Sequence, residues 1–97
     1  MKKVLLKFDK DRTTVSGFKY GRQVFDEQVE PSRKNEEHIS VEFPDNIELV
    51  GMSFVQGFVN SIAEQYGGTK NVKKHLSIKS KRQKVLEKFM EALGDND

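Results

Sequence analysis

Between His38 and Tyr66 the spacing of apolar residues changes once, from every second position to every fourth. Ile39, Val41 and Phe43 alternate with polar neighbours, which puts them on one face of a strand over His38 to Phe43. Pro44-Asp45-Asn46 interrupts the pattern. Phe54, Phe58, Ile62 and Tyr66 then recur at helical spacing, with Val55 and Val59 beside them. A chain with this switch must place a strand, a short loop and a helix in direct succession. The helix opens at Ser53, and Gly67-Gly68 stops it because glycine accepts positive φ.

The same logic organises the flanks. Lys2 to Phe8 reads as a first strand, Asp9-Lys10-Asp11 as a turn and Arg12 to Val15 as a short return strand. Ser16-Gly17 opens a helix in which Phe18, Gly21, Phe25 and Val29 lie near one stripe. Pro31 is expected to end it, because the residue before a proline is pushed out of the helical region. Pro31 to Glu37 is a solvated connection. Lys74 to Lys79 is a further strand, and Ser80 to Leu93 a final helix with Val85, Leu86, Phe89 and Leu93 inward. Gly94 to Asp97 is a frayed tail. Strands alternating with helices predict one α/β domain over residues 1–97. Its sheet is expected to have about four strands, mixed in direction, with helices mostly on one face.

Composition narrows the function. There are no cysteines, which removes disulfides and thiolate chemistry. No apolar run approaches a membrane span, and Lys7 breaks the N-terminal run too early for a signal peptide. The expectation is a cytoplasmic protein without a membrane partner. The net charge is only +2, but its distribution is uneven. Eight carboxylates and two cations lie between Asp26 and Glu48, whereas Lys70 to Lys84 holds seven cations and no carboxylate. Such sections can serve each other or a partner.

Ser53-x-x-Gln56 fits a capping box, with the serine hydroxyl and the glutamine exchanging hydrogen bonds with the first turn. Ser80-x-x-Gln83 fits it equally. Ser53 differs by following the middle strand, where a helix start attracts anions. It is therefore either a plain cap or an exposed switch. Gly57, inside the helix, costs about 1 kcal/mol relative to alanine and suggests close approach of another element. His38 and His75 have no second ligand at metal spacing, and no catalytic set is recognisable. No metal or cofactor is expected. The basic residues Lys70, Lys73, Lys74, Lys79, Lys81, Arg82 and Lys84 are the candidate nucleic-acid surface. They lack interleaved aromatics for base stacking, so binding there would be non-specific and salt-sensitive.

Val41-Glu42-Phe43, Gly51-Met52-Ser53-Phe54-Val55-Gln56-Gly57-Phe58, Tyr66-Gly67 and Leu76-Ser77-Ile78, in that order, resemble the STAS-like family of bacterial proteins. Tyr20-Gly21-Arg22 falls where such proteins carry a helix-start Gly-Arg or Ser-Arg. The resemblance spans about Val15 to Leu93. It implies kinship with the anti-sigma-factor antagonists, in which a serine at the start of the helix after a central strand is phosphorylated by a serine-kinase anti-sigma factor. Ser53 matches that position by topology. The antagonists' Asp-Ser-Ser-Gly run is replaced here by Gly51-Met52-Ser53-Phe54, which lacks the acidic residue and the glycine.

Together these readings predict a non-enzymatic regulatory module. It would present Gly51, Met52, Ser53, Phe54 and Gln56 to a protein partner such as a histidine-kinase-like ATPase or an anti-sigma factor, with phosphorylation of Ser53 as an optional switch. A nucleic-acid accessory role through Lys70 to Lys84 is the alternative. A small core and an edge strand near the N-terminus leave room for a homodimer.

Overall fold

The computed structural model describes residues 2–33 and 38–94, apart from the Lys70 side chain. Three strands, β1 (Lys2–Leu5), β3 (Ile39–Glu42) and β5 (Leu76–Lys79), form a sheet in the order β1-β3-β5. Two shorter strands, β2 (Thr14–Val15) and β4 (Leu49–Val50), pair separately. Every pairing among the described residues is parallel. The expected sheet of about four strands in mixed directions is thus a three-stranded parallel sheet beside a two-residue parallel ribbon.

The return strand does not fold back on β1. Thr14 stands opposite Leu49 and Val15 opposite Val50. The side-chain amide of Asn46 donates to the carbonyls of Asp9 and Arg12, at 3.2 and 2.8 Å. The Glu48 N–H donates to the Thr13 carbonyl at 2.8 Å. These bonds attach the turn after β1 to the loop after β3, and β2 follows that loop rather than its own predecessor.

Register fixes the two faces of the main sheet. Val4, Val41 and Ile78 lie side by side, and Ile39 lies beside Leu76. That face meets the helices: the ring of Phe43, just past β3, is 6.1 Å from Phe58 and 5.6 Å from Phe89. The opposite face carries Lys3, Leu5, Glu42 and Lys79, all exposed, around a buried Ser40. The core is consequently a layer of aromatic and branched side chains between one sheet face and the helices.

The first helical rod has three parts: α1 (Phe18–Val24), a π-helical turn (Phe25–Val29) and α2 (Glu30–Arg33). Pro31 does not end the helix where expected. Val24, Phe25 and Val29 all reach the core along this rod. Pro31 then sits in the first turn of the restarted α-helix, where its missing N–H has least consequence.

α3 (Met52–Tyr66) crosses this rod at two glycines. A Cβ on Gly21 would collide with the Phe54 carbonyl, and one on Gly57 with the Phe18 carbonyl. Each helix thus presses its backbone against the other, as the glycine inside α3 suggested. Gly67 ends α3 at φ 82°, and the Gly68 N–H returns to the Ala63 carbonyl at 2.8 Å.

At the far end, Arg33 makes a paired contact with Glu30 at 2.9 and 2.7 Å and reaches the Tyr66 hydroxyl at 3.4 Å. The hydrogen bond with Glu30 raises the pKa of Arg33 above its ordinary value, against the opposing effect of burial. A 3-10 segment (Thr69–Lys74) leads to β5, which begins later than the expected Lys74. α4 (Gln83–Ala92) completes the layer. Of the connection expected over Pro31 to Glu37, residues 31–33 are helical and 34–37 lie outside the described residues, as do residues 95–97 of the tail expected over Gly94 to Asp97.

Candidate functional site

Ser53 is the second residue of α3 rather than its cap. Met52 begins the helix, Gly51 takes the cap position with φ −77° and ψ 151°, and no side chain caps it. The capping box is therefore not formed. The Ser53 Oγ instead accepts the N–H of Gly17 at 3.2 Å. Gly17 itself caps α1 at φ 98°. One exposed hydroxyl thus joins the starts of two helices that follow neighbouring strands, β2 and β4. Ser80 departs from the same expectation: its Oγ accepts the Arg82 N–H at 3.0 Å, and α4 starts later, at Gln83. Ser53 lies in the first turn of α3 and Ser80 ahead of α4, while Gly51 and Arg82, with extended backbone, take the cap positions.

The surface around Ser53 is narrower than the sequence suggested. Gln56 is exposed, and Gly51 and Met52 are half-buried. Phe54 is fully buried, with its ring 5.7 Å from Tyr20 and 6.0 Å from Phe58. It belongs to the core and has nothing to offer a partner. Successive residues in a helix turn by about 100°, which carries Phe54 into the buried stripe while Ser53 stays outside it. From the neighbouring helix, Phe18 contributes an exposed aromatic ring. No acidic residue occupies the first turn of α1 or α3, and the helix dipoles therefore leave this rim favourable to negative charge.

The basic run is divided along the chain by β5. Lys73 and Lys74 precede β5, Lys79 is its last residue, and Lys81, Arg82 and Lys84 follow it. The strand separates the two groups by about 13 Å, at roughly 3.3 Å per residue. Lys81 pairs with Asp45 at 3.4 Å, and Arg82 Nε donates to the Asp45 carbonyl at 3.0 Å. Part of the cationic section is thus spent on the acidic one, within the chain. The side chain of Lys70 is outside the described set.

The histidines hold places that spacing did not reveal. The His38 ring joins the Lys74 carbonyl through Nδ1, at 3.1 Å, and the Ser77 hydroxyl through Nε2, at 2.6 Å. With Nδ1 donating to the carbonyl, Nε2 is the acceptor for the serine O–H. This tie fastens the head of β3 to β5. Its only sequence signal is polarity on the outward face of both strands. His75 stacks on Tyr66 with ring centroids 3.7 Å apart. Among the described residues, no group of three or more histidine, aspartate or glutamate side chains could hold a metal ion, and no helix is long and apolar enough to cross a membrane.

Comparison with known proteins finds no matching family model, no matching curated protein and no matching solved structure.

Proposed function

We infer that the chain is a regulatory protein-interaction module switched by phosphorylation of Ser53, in the manner of the anti-sigma-factor antagonists that its sequence resembles. The observation that carries this reading is the exposed Ser53 hydroxyl in the first turn of α3, bonded to the Gly17 N–H at 3.2 Å. A phosphoryl group there adds a charge of about −1.5 to −2 and three acceptor oxygens. It would meet backbone amides at two helix starts with no carboxylate in either first turn. A partner resting on Gly51, Met52 and Gln56 would sense the change in charge and in the tie between α1 and α3. The partner chemistry is that of a histidine-kinase-like ATPase or an anti-sigma factor, and the module needs no reaction of its own.

Incubation with a co-encoded ATPase of that kind, with ATP and magnesium, is read by intact mass. One added phosphoryl group that maps to Ser53 and is absent from Ser53→Ala is expected. No gain, or gain at another residue, removes Ser53 from the role. Ser53→Asp should weaken partner binding, and unchanged affinity would defeat the charge mechanism.

A further inference from the structure

The outward side of the first helical rod carries charges that its own chain leaves unmatched. Phe18, Lys19, Arg22, Gln23, Asp26 and Glu27 line a shallow trough of about 560 Å³ along that side, and all six are exposed. The two cations stand toward the start of the trough and the two carboxylates at its end. Arg22 donates to the Asn60 side chain at 3.1 Å, and Asp26 accepts from the Ser61 hydroxyl at 3.4 Å, so both are turned toward α3. Glu27 accepts from the Gln23 amide at 3.3 Å. These partners are neutral. Among the described residues, Lys19, Asp26 and Glu27 belong to no ion pair. Lys19 and Glu27 are two helical turns apart, a rise of about 12 Å, which is too far to meet within one helix. Phe18 is 43% exposed, whereas the other phenylalanines are buried or half-buried.

The order of the charges selects the occupant. An acidic partner would be repelled by Asp26 and Glu27, and a basic one by Lys19 and Arg22. A second copy running antiparallel matches both ends at once. With the two-fold axis crossing the rod beside Gln23, each Lys19 stands against Asp26 and Glu27 of the other copy. Each Phe18 then covers the Gln23 and Glu27 stems across the axis. A parallel pair would instead set Lys19 against Lys19. The antiparallel surface is self-complementary, as a two-fold interface must be. We propose that two copies of this chain associate antiparallel through the α1 trough, held by two symmetric contacts of Lys19 with Asp26 and Glu27 and by the Phe18 rings. Six residues a side is well below the roughly 20–30 of a standard interface, so the dimer is weak and exchanges readily.

Sedimentation velocity from about 10 µM to about 1 mM at low salt should show a concentration-dependent dimer that weakens as salt rises. Lys19→Glu should weaken self-association at least ~tenfold, and so should Asp26→Lys combined with Glu27→Lys. Mixed together, these two variants should pair with each other, because each restores the contacts that the other lost; a folding defect would give no such rescue. The chain has no cysteine of its own, so a cross-link reads the axis directly. Gln23→Cys, beside the axis, should form a disulfide-linked dimer under mild air oxidation, and Lys19→Cys should not, because its counterpart lies far along the rod. This measurement decides the matter if a charge variant fails to fold. A monomer at every concentration would overturn the proposal. So would a dimer that Lys19→Glu leaves intact, charge variants that do not pair when mixed, or equal cross-linking at both cysteine positions.

Discussion

The crossing of α1 with α3 and the packing of α4 beside β5 are built on opposite terms. At the crossing, backbone meets backbone through Gly21 and Gly57, and ring pairs flank it: Phe25 with Phe58 at 5.3 Å and Tyr20 with Phe54 at 5.7 Å. Arg22 bonds Asn60 across it at 3.1 Å. Nothing at that contact can be enlarged. α4 buries Val85 and Phe89 but leaves Leu86 half-buried and Met90 exposed. The helices at the crossing are locked by shape, while α4 keeps an apolar strip available. A small domain can thus hold a rigid centre and still reserve a surface, because close packing and spare apolar area need not coincide.

Five substitutions probe this contrast. The largest effect is expected at the crossing. Alanine for glycine inside a helix normally stabilises by about 1 kcal/mol. Here Gly57→Ala should instead destabilise by about 3 kcal/mol or more, because the new carbon meets a main-chain carbonyl rather than a movable side chain. A rise in the urea midpoint would show that the helices are not in backbone contact. Next comes the core beneath: Phe58→Ala should cost about 3–5 kcal/mol, whereas Leu86→Ala in the strip should cost below about 1.5 kcal/mol. Equal losses in urea titration would erase the distinction between the regions.

Ser53→Ala gives up one exposed bond to Gly17 and should cost about 0.5–1 kcal/mol. Hydrogen exchange should quicken at the starts of α1 and α3 alone, and a change spread over the whole domain would contradict so local a tie. Lys81→Ala comes last. Its pair with Asp45 is exposed on both sides, so the thermal midpoint should move by less than the equivalent of about 0.5 kcal/mol. A larger fall would mean that the loop after β3 depends on that ion pair.

Periodicity located β3, α3 and the inward stripe of α4 except Leu86, which was expected inward and is only half-buried, because Ile39, Val41 and Phe43 and then Phe54, Phe58 and Ile62 each repeat at a spacing that only one backbone geometry satisfies. Gly57 was legible as a close approach, since a glycine inside a helix has a cost that only packing offsets. Less of the candidate site could be read. Phe54 was placed on the surface with Ser53, although the stripe that contains Phe58 already demands that it point inward. The bond from Ser53 to Gly17 links residues that lie far apart in the chain, and no local pattern records it.

The chain by itself determined β1, β3, β5 and the main helices with their apolar faces, because those follow from the spacing of neighbouring residues; β4 and the 3-10 segment left no such pattern. Tertiary structure alone decided the strand partners, the continuation of the helix through Pro31 and the union of His38 with Ser77. Each depends on groups brought together across the fold. β2 chose β4 over β1 because Asn46 anchors the carbonyls of the first turn. Pro31 stayed helical because a widened turn came before it.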